Sequence, residues 1–428
     1  LSRAHADRRA ASAVSLGGGI ITAAAVGLIL GGLGGGASDD ESARRWWWAA
    51  ALLIVLQQLM LVYRDALASQ RQFGWSAVAM IGFAALSTAG GIVGAVWGGL
   101  GGFLIGQAAA YVVVVAGCSV LGPTFPLPAW RAADAWRLVR LGWPIAVGHA
   151  LLIVLWNVDK LALWMLRSPH DLGVYAIQAY FTAAVMLLPA TVSAVFSPHL
   201  RLRLGATRDP RSAQPFLLQG MELLGLASLP VIGLGALAMH LPIRWLTPDY
   251  AQAIVPGRLL MLVSFMSVIA SVASGALVAL SHQQLLLVIR ILSVAVSGGL
   301  AVGVLAAGGG LVALAAAVSA GFTVHAVWVV AAAMRAARIS VAQAGSLLKS
   351  IAWPYAMTIV AVVILLAAIP DAPRSPVADL MLTAARCAIL MLLGASLWRR
   401  VWRSLNLPST AEQGDRSSMA YSVDVPTA

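Results

Sequence analysis

Leu141 to Arg203 reads L-G-W-P-I-A-V-G-H-A-L-L-I-V-L-W-N-V-D-K-L-A-L-W-M-L-R-S-P-H-D-L-G-V-Y-A-I-Q-A-Y-F-T-A-A-V-M-L-L-P-A-T-V-S-A-V-F-S-P-H-L-R-L-R. Two apolar runs of membrane-spanning length flank a few polar residues, and the first run carries Asp159 and Lys160. A transmembrane helix needs about 20 predominantly apolar residues. A charge inside one is costly and needs a partner or a function.

The rest of the chain repeats this pattern. Sixty percent of its 428 residues are hydrophobic and ten percent are charged, with a mean hydropathy of +0.88, whereas a soluble domain carries about 25% charged residues. The chain therefore reads as an integral membrane protein, and no nucleic-acid partner is expected from its net charge of +12. The apolar runs are continuous rather than alternating, which selects helices over a barrel. Twelve spans are predicted, at 15–35, 46–66, 74–97, 100–121, 143–165, 172–197, 215–239, 252–280, 284–306, 309–334, 350–369 and 377–398. Leu1 to Arg9 is polar and the first apolar run is long enough to span, so no cleavable signal is expected.

Basic residues orient the spans, because Lys and Arg gather on the cytoplasmic side. With the N-terminus inside, the inner segments hold nineteen: Arg3, Arg8, Arg9, Arg64, Arg71, Arg131, Arg137, Arg140, Arg201, Arg203, Arg208, Arg211, Arg335, Arg338, Lys349, Arg399, Arg400, Arg403 and Arg416. The outer segments hold five: Arg44, Arg45, Arg167, Arg244 and Arg374. Both termini are expected in the cytoplasm. The outer loops are short, the longest running from about His240 to Ala251. Cys118 and Cys387 lie in apolar runs, so neither a disulfide nor a metal site is indicated.

A weak repeat organises the helices. Ala68 to Gln72 (A-S-Q-R-Q) precedes Gly90-Gly91 and the glycines of 98–102, while Leu280 to Gln284 (L-S-H-Q-Q) precedes Gly298-Gly299 and Gly308 to Gly310. Helices one to four then correspond to helices seven to ten, and helices five and six have no counterpart, as if two helices that should precede Leu1 were absent. The expected domains are an incomplete four-helix N-terminal lobe (1–122), a cytoplasmic connector with an amphipathic helix (123–142) and a six-helix C-terminal lobe (143–340). An extra helix pair (341–403) and a disordered cytoplasmic tail (404–428) follow. Repeated halves around a midplane site are a common transporter plan.

The opening stretch resembles the Wzx-type polysaccharide flippases of the multidrug/oligosaccharidyl-lipid/polysaccharide exporter superfamily. The resemblance is carried by Gly142-Trp143-Pro144 at the start of a helix, Asp159, Leu172-Gly173-Val174-Tyr175, Pro189 and Ser197-Pro198-His199-Leu200, with Tyr250-Ala251 and the run from Gly309 in support. It implies an all-α polytopic protein of about twelve helices in two lobes around a central cavity, MATE/flippase-like. The implied function is movement of a polyprenyl-pyrophosphate-linked saccharide from the inner to the outer leaflet of a bacterial plasma membrane by alternating access. Implied partners are that substrate, the bilayer, glycosyltransferases and a polysaccharide polymerase, with the chain acting as a monomer and without a cofactor. The same superfamily holds drug/cation antiporters and lipid II flippases.

Such work is electrostatic and steric, so the candidate residues are charges and polar groups within spans. At 3.6 residues per turn His149, Trp156 and Lys160 share one stripe, which makes Lys160 the leading substrate contact. Asp159 points about 100° away and is expected to be satisfied from another helix. Arg386 stands midway along the last span, and Arg258 and Arg290 stand about six residues from helix ends, within snorkelling reach. Asn157, Gln178 and Tyr180 are candidates for sugar hydroxyls, although helix–helix hydrogen bonding explains such residues equally well. Glu222 and Asp159 are the candidates for a coupling proton or Na+, Glu222 being also suited to a salt bridge with an Arg.

Three other functions are weighed. A drug/cation antiporter would share the fold and depend on buried carboxylates, of which Asp159 and Glu222 are the candidates. A polytopic glycosyltransferase is invited by Asp39-Asp40-Glu41, but no large outer loop accompanies that cluster, so the protein is not expected to be an enzyme. A non-transporting membrane scaffold is the third.

Overall fold

The computed structural model describes residues 32, 41–69, 72–121, 132–178, 182, 209–368 and 375–406. The helix expected at 15–35, except for residue 32, the residues from 407 onward and Tyr180 lie outside them. The chain divides into two compact units, Leu1–Trp143 and Pro144–Ala428. Nine helices among the described residues are long and apolar enough to cross a membrane. One of these, Gly74–Val120, has 47 residues, about twice the spanning length.

The first unit contains α1 (Glu41–Ser69) and α2 (Phe73–Leu121). α2 breaks at Gly98 and Gly99, where Gly99 takes φ +55°, a left-handed backbone that glycine enters without steric cost. The two arms fold back on each other between the spans expected at 74–97 and 100–121. Their pairing is antiparallel: a Cβ on Gly94 would strike the Gly102 carbonyl, and Gly106 meets Gly90 in the same way. Further along, Gln107 Nε2 donates to the Ser87 carbonyl at 3.0 Å, and Phe83 stacks on Tyr111 at 4.3 Å. Lipid offers no hydrophobic drive between helices, so close backbone approach over small residues supplies the packing. Met60, Tyr63 and Leu67 of α1 close a small core against Ala79, Val114 and Cys118 of α2.

The second unit holds most of α3 (Ala132–Leu166), then α4 (169–178), α5 (Gln214–Ala238), the short α6 (His240–Leu246), α7 (Ile254–Ala279), α8 (Gln283–Ala306), α9 (Leu311–Ala336), α10 (Val341–Ala368) and α11 (Pro376–Asn406). α7 is the shared wall. Its Met261, Phe265, Ile269 and Ala273 belong to a core shared with residues of α5, α9, α10 and α11, and its Leu260 and Val263 to one shared with Val158 and Leu163 of α3, Tyr175 of α4 and Val318 of α9. Tyr355 ties α10 to this wall by stacking on Phe265 at 4.2 Å and donating to the Leu262 carbonyl at 3.1 Å.

The turns carry local signals. Between α8 and α9, Gly308 takes φ +82° while Gly309 N bonds the Val304 carbonyl, a glycine stop of the Schellman type. α10 opens with a reciprocal cap: Ser340 N donates to Gln343 Oε1 at 3.0 Å, and Gln343 N donates to Ser340 Oγ at 3.3 Å.

Two sequence expectations change. The Gly142-Trp143-Pro144 start is interior to α3, which begins at Ala132; the ten residues before Gly142 are good helix formers, and one missing proline donor does not stop them. The region from His240 to Ala251 is not an open loop. It forms α6 and a 3₁₀ segment, Pro248–Ala253, and His240 is fully buried.

Candidate functional site

A cleft of about 280 Å³ lies inside the second unit, lined in part by Trp156, Asn157, Asp159 and Lys160 of α3, Gln178 of α4 and Phe322 of α9. α7 adds Ser264 and Ser267 to the lining, and Thr182 stands near α4. Four of the residues proposed from sequence are thereby brought together: Asp159, Lys160, Asn157 and Gln178.

Their chemistry is uneven. Asp159 is 3% exposed, and its Oδ1 accepts from the Lys160 backbone N–H at 2.8 Å and lies 3.4 Å from Lys160 Nζ. The expectation that adjacent residues on one helix cannot pair is therefore wrong here. The four-carbon Lys160 stem folds back along its own turn, where Nζ also donates to the Trp156 carbonyl at 3.2 Å. Asn157 donates to the Ile153 carbonyl at 2.8 Å. Gln178 is fully buried, and neither its amide nitrogen nor its amide oxygen has a partner among the described residues. Tyr175, one turn earlier and also fully buried, lies within range of Asp159 and Gln178 without a hydrogen bond from its hydroxyl.

No family model matches the chain, and no curated protein matches it by sequence. Solved structures do match. The lipid II flippase MurJ in its inward closed conformation aligns with a TM-score of 0.63 at 12% identity, over 92% of this chain and 84% of that one. MATE in the straight conformation aligns with a TM-score of 0.56 at 13% identity, over 77% of this chain and 86% of that one. The chain has the flippase/MATE-type fold. What is shared at this identity is the architecture.

Within this flippase/MATE-type fold the other candidates fall outside the cleft. Arg258 directs Nε to the Ala236 carbonyl at 3.0 Å, joining α7 to α5. Its neighbour Gly257 does touch the site, since a Cβ there would lie 3.1 Å from Gln178 Cβ. Arg290 is 7% exposed, enclosed by its own unit. Glu222 is exposed on α5 and makes no ion pair among the described residues, so the expected salt bridge is not formed there. Arg386 is fully buried where α11 packs on α5.

Sequence reasoning missed two groups. Ser264, Ser267, Ser271 and Ser274 recur at helical spacing on α7, a legible polar stripe whose first two members line the cleft. It also missed a buried cluster: His240 Nε2 lies 3.6 Å from Asp379 Oδ1 and 3.3 Å from Thr383 Oγ1, while Arg244 Nη1 lies 3.8 Å from Asp379 Oδ2. That cluster fastens α6 to α11. Removing one member of a buried pair strands the other, at a cost of about 3 kcal/mol or somewhat less with Arg244 partly exposed. Asp379→Ala is accordingly expected to lower the melting temperature of the purified protein by several degrees, measured against Asp249→Ala as an exposed control.

Proposed function

We propose that the protein is a flippase-type exporter. It carries a polyprenyl-pyrophosphate-linked saccharide from the inner to the outer leaflet of a bacterial plasma membrane by alternating access, with both termini cytoplasmic. The observation that supports this best is the Gln178 amide, fully buried in the cleft wall with donor and acceptor both unpaired among the described residues. An unpaired buried amide costs about 1 to 3 kcal/mol. A sugar hydroxyl supplies donor and acceptor together, whereas an apolar drug supplies neither.

The neighbouring groups complete the reading. Lys160 provides a cation for phosphate, Trp156 and Phe322 provide apolar faces for sugar rings, and Ser264 and Ser267 provide hydroxyls. A volume of about 280 Å³ is at the small end of ligand pockets, which run from about 300 to 1,000 Å³. It suits part of a headgroup, with the isoprenoid tail remaining in lipid. Asp159 is the group proposed to take up a coupling proton or Na+, with exposed Glu222 as the alternative. Glycosyltransferases and a polysaccharide polymerase are the proposed neighbours in the pathway, and the transporter acts as a monomer.

A drug/cation antiporter is the second reading, favoured by the single buried carboxylate, Asp159, in the cleft wall. One set of strains separates the two. Deleting the gene is expected to remove surface polysaccharide and to accumulate its lipid-linked precursor. Wild type restores export, and Gln178→Leu does not, although it reaches the membrane at normal level. Unchanged polysaccharide together with heightened sensitivity to organic cations selects the antiporter. Full restoration by Gln178→Leu removes the amide from the site.

A further inference from the structure

A second polar cluster lies in the same unit, where α3, α8 and α9 meet. Arg290 on α8 is 7% exposed, its Nε is buried, and it makes no hydrogen bond or ion pair among the described residues. His325 on α9, 3% exposed, and His149 on α3 both stand within electrostatic range of its guanidinium. Ser293, one turn along α8, fixes the His325 ring. Ser293 Oγ donates to the Ile289 carbonyl at 2.7 Å, so at 2.9 Å from His325 Nδ1 it must accept, and Nδ1 carries the hydrogen. Nε2 of the neutral ring is then an acceptor, and it donates to an anion only as the imidazolium. One further turn on, the Ser297 hydroxyl is buried and has no partner among the described residues.

Among the described residues no carboxylate pairs with Arg290. No Asp or Glu occurs anywhere between Asp249 and Asp371, so α7, α8, α9 and α10 cannot offer one. On α3 the acids nearest Gly148 are Asp159 and Asp134, about 16 Å and 21 Å away along the helix at 1.5 Å per residue. Gly148 itself faces the cation, because a Cβ there would lie 2.8 Å from Arg290 Nη1. The guanidinium thus sits in a notch shaped for it, among two imidazoles, in membrane-spanning helices. A buried charge without a counter-charge is strongly disfavoured, and a guanidinium fork matches an oxyanion with two parallel hydrogen bonds.

We propose that Arg290 and His149 form a binding site for a phosphate-class oxyanion within the second unit, with His325 held beside the guanidinium by Ser293 and the exposed His149 at the mouth. The phosphate belongs either to an anionic lipid headgroup or to free phosphate. The site stands on these residues alone and is independent of saccharide export.

The test uses the full-length protein in nanodiscs of zwitterionic lipid, unfolded thermally at constant ionic strength. One arm adds inorganic phosphate, and the other replaces part of the lipid with phosphatidylglycerol. A ligand that binds only the folded state raises the melting temperature with its concentration. A rise in the first arm identifies free phosphate, and a rise in the second alone identifies a headgroup. Arg290→Met is expected to abolish the rise and, without anion, to melt at or above wild type because an uncompensated buried charge is gone. Gly148→Ala keeps every charge but fills the notch, and it is expected to weaken binding about tenfold or more by disturbing the bidentate fork. His149→Gln gives a third readout should Arg290→Met not fold. No rise in either arm for wild type, or a rise that survives both Gly148→Ala and His149→Gln, overturns the site.

Discussion

Gly102→Leu is expected to remove almost all folded protein from the membrane, whereas Gly117→Leu on the same arm of α2 is recovered at wild-type level. The difference is local. A Cβ on Gly102 would collide with the Gly94 carbonyl, a backbone atom that cannot rotate away, whereas nothing lies within 4 Å of a Cβ on Gly117. Both substitutions raise helix propensity equally, so propensity predicts no difference between them. Overpacking a tight site costs about 1 to 3 kcal/mol or more, and every 1.4 kcal/mol is tenfold in an equilibrium. Because the Gly94–Gly102 and Gly90–Gly106 crossings hold the whole hairpin, the arms must separate to admit a leucine. Fluorescence-detected size-exclusion of tagged protein measures this directly. Equal monodisperse recovery of the two variants would show that the glycine crossing does not hold the first unit together.

The second large effect is expected at the charged pair. Asp159→Leu leaves the Lys160 ammonium against the cleft wall without its carboxylate, at 3.4 Å in the wild type. Export is expected to fall by about tenfold or more, with a lowered melting temperature, as for loss of one member of a largely buried pair. Asp159→Leu/Lys160→Met replaces both charges by apolar groups and is expected to regain stability without regaining export. The double-mutant cycle separates the two roles. Export at the wild-type rate from the double variant would reduce the pair to packing.

Much of the architecture is legible in the chain. The membrane-length runs follow from composition, since continuous apolar stretches in lipid must satisfy their own backbone groups as helices. Gly98-Gly99 marks a break because only glycine enters the Gly99 conformation freely, and Ser340 with Gln343 announces the start of α10 because their side chains cap the orphan N–H groups of that turn. The serine stripe on α7 is equally legible, as four serines at helical spacing.

The site is legible only in part. Helical spacing put His149, Trp156 and Lys160 on one face, and the pairing of Asp159 with Lys160 was misjudged because spacing gives the directions of Cβ atoms and not the path of a flexible stem. That Gln178 has both amide atoms unmet in the same cleft depends on α4 lying against α3 and α7, a contact between separate segments. Likewise, sequence alone establishes that no acid lies between Asp249 and Asp371. Only the packing of α3 on α8 and α9 brings Gly148 and His325 to Arg290 and turns that absence into an uncompensated cation. Composition and local steric rules thus determined that this chain makes long membrane helices and where several of them stop. Which polar groups were left without partners was decided by tertiary packing, because burial and hydrogen bonding belong to pairs of segments and not to either segment alone.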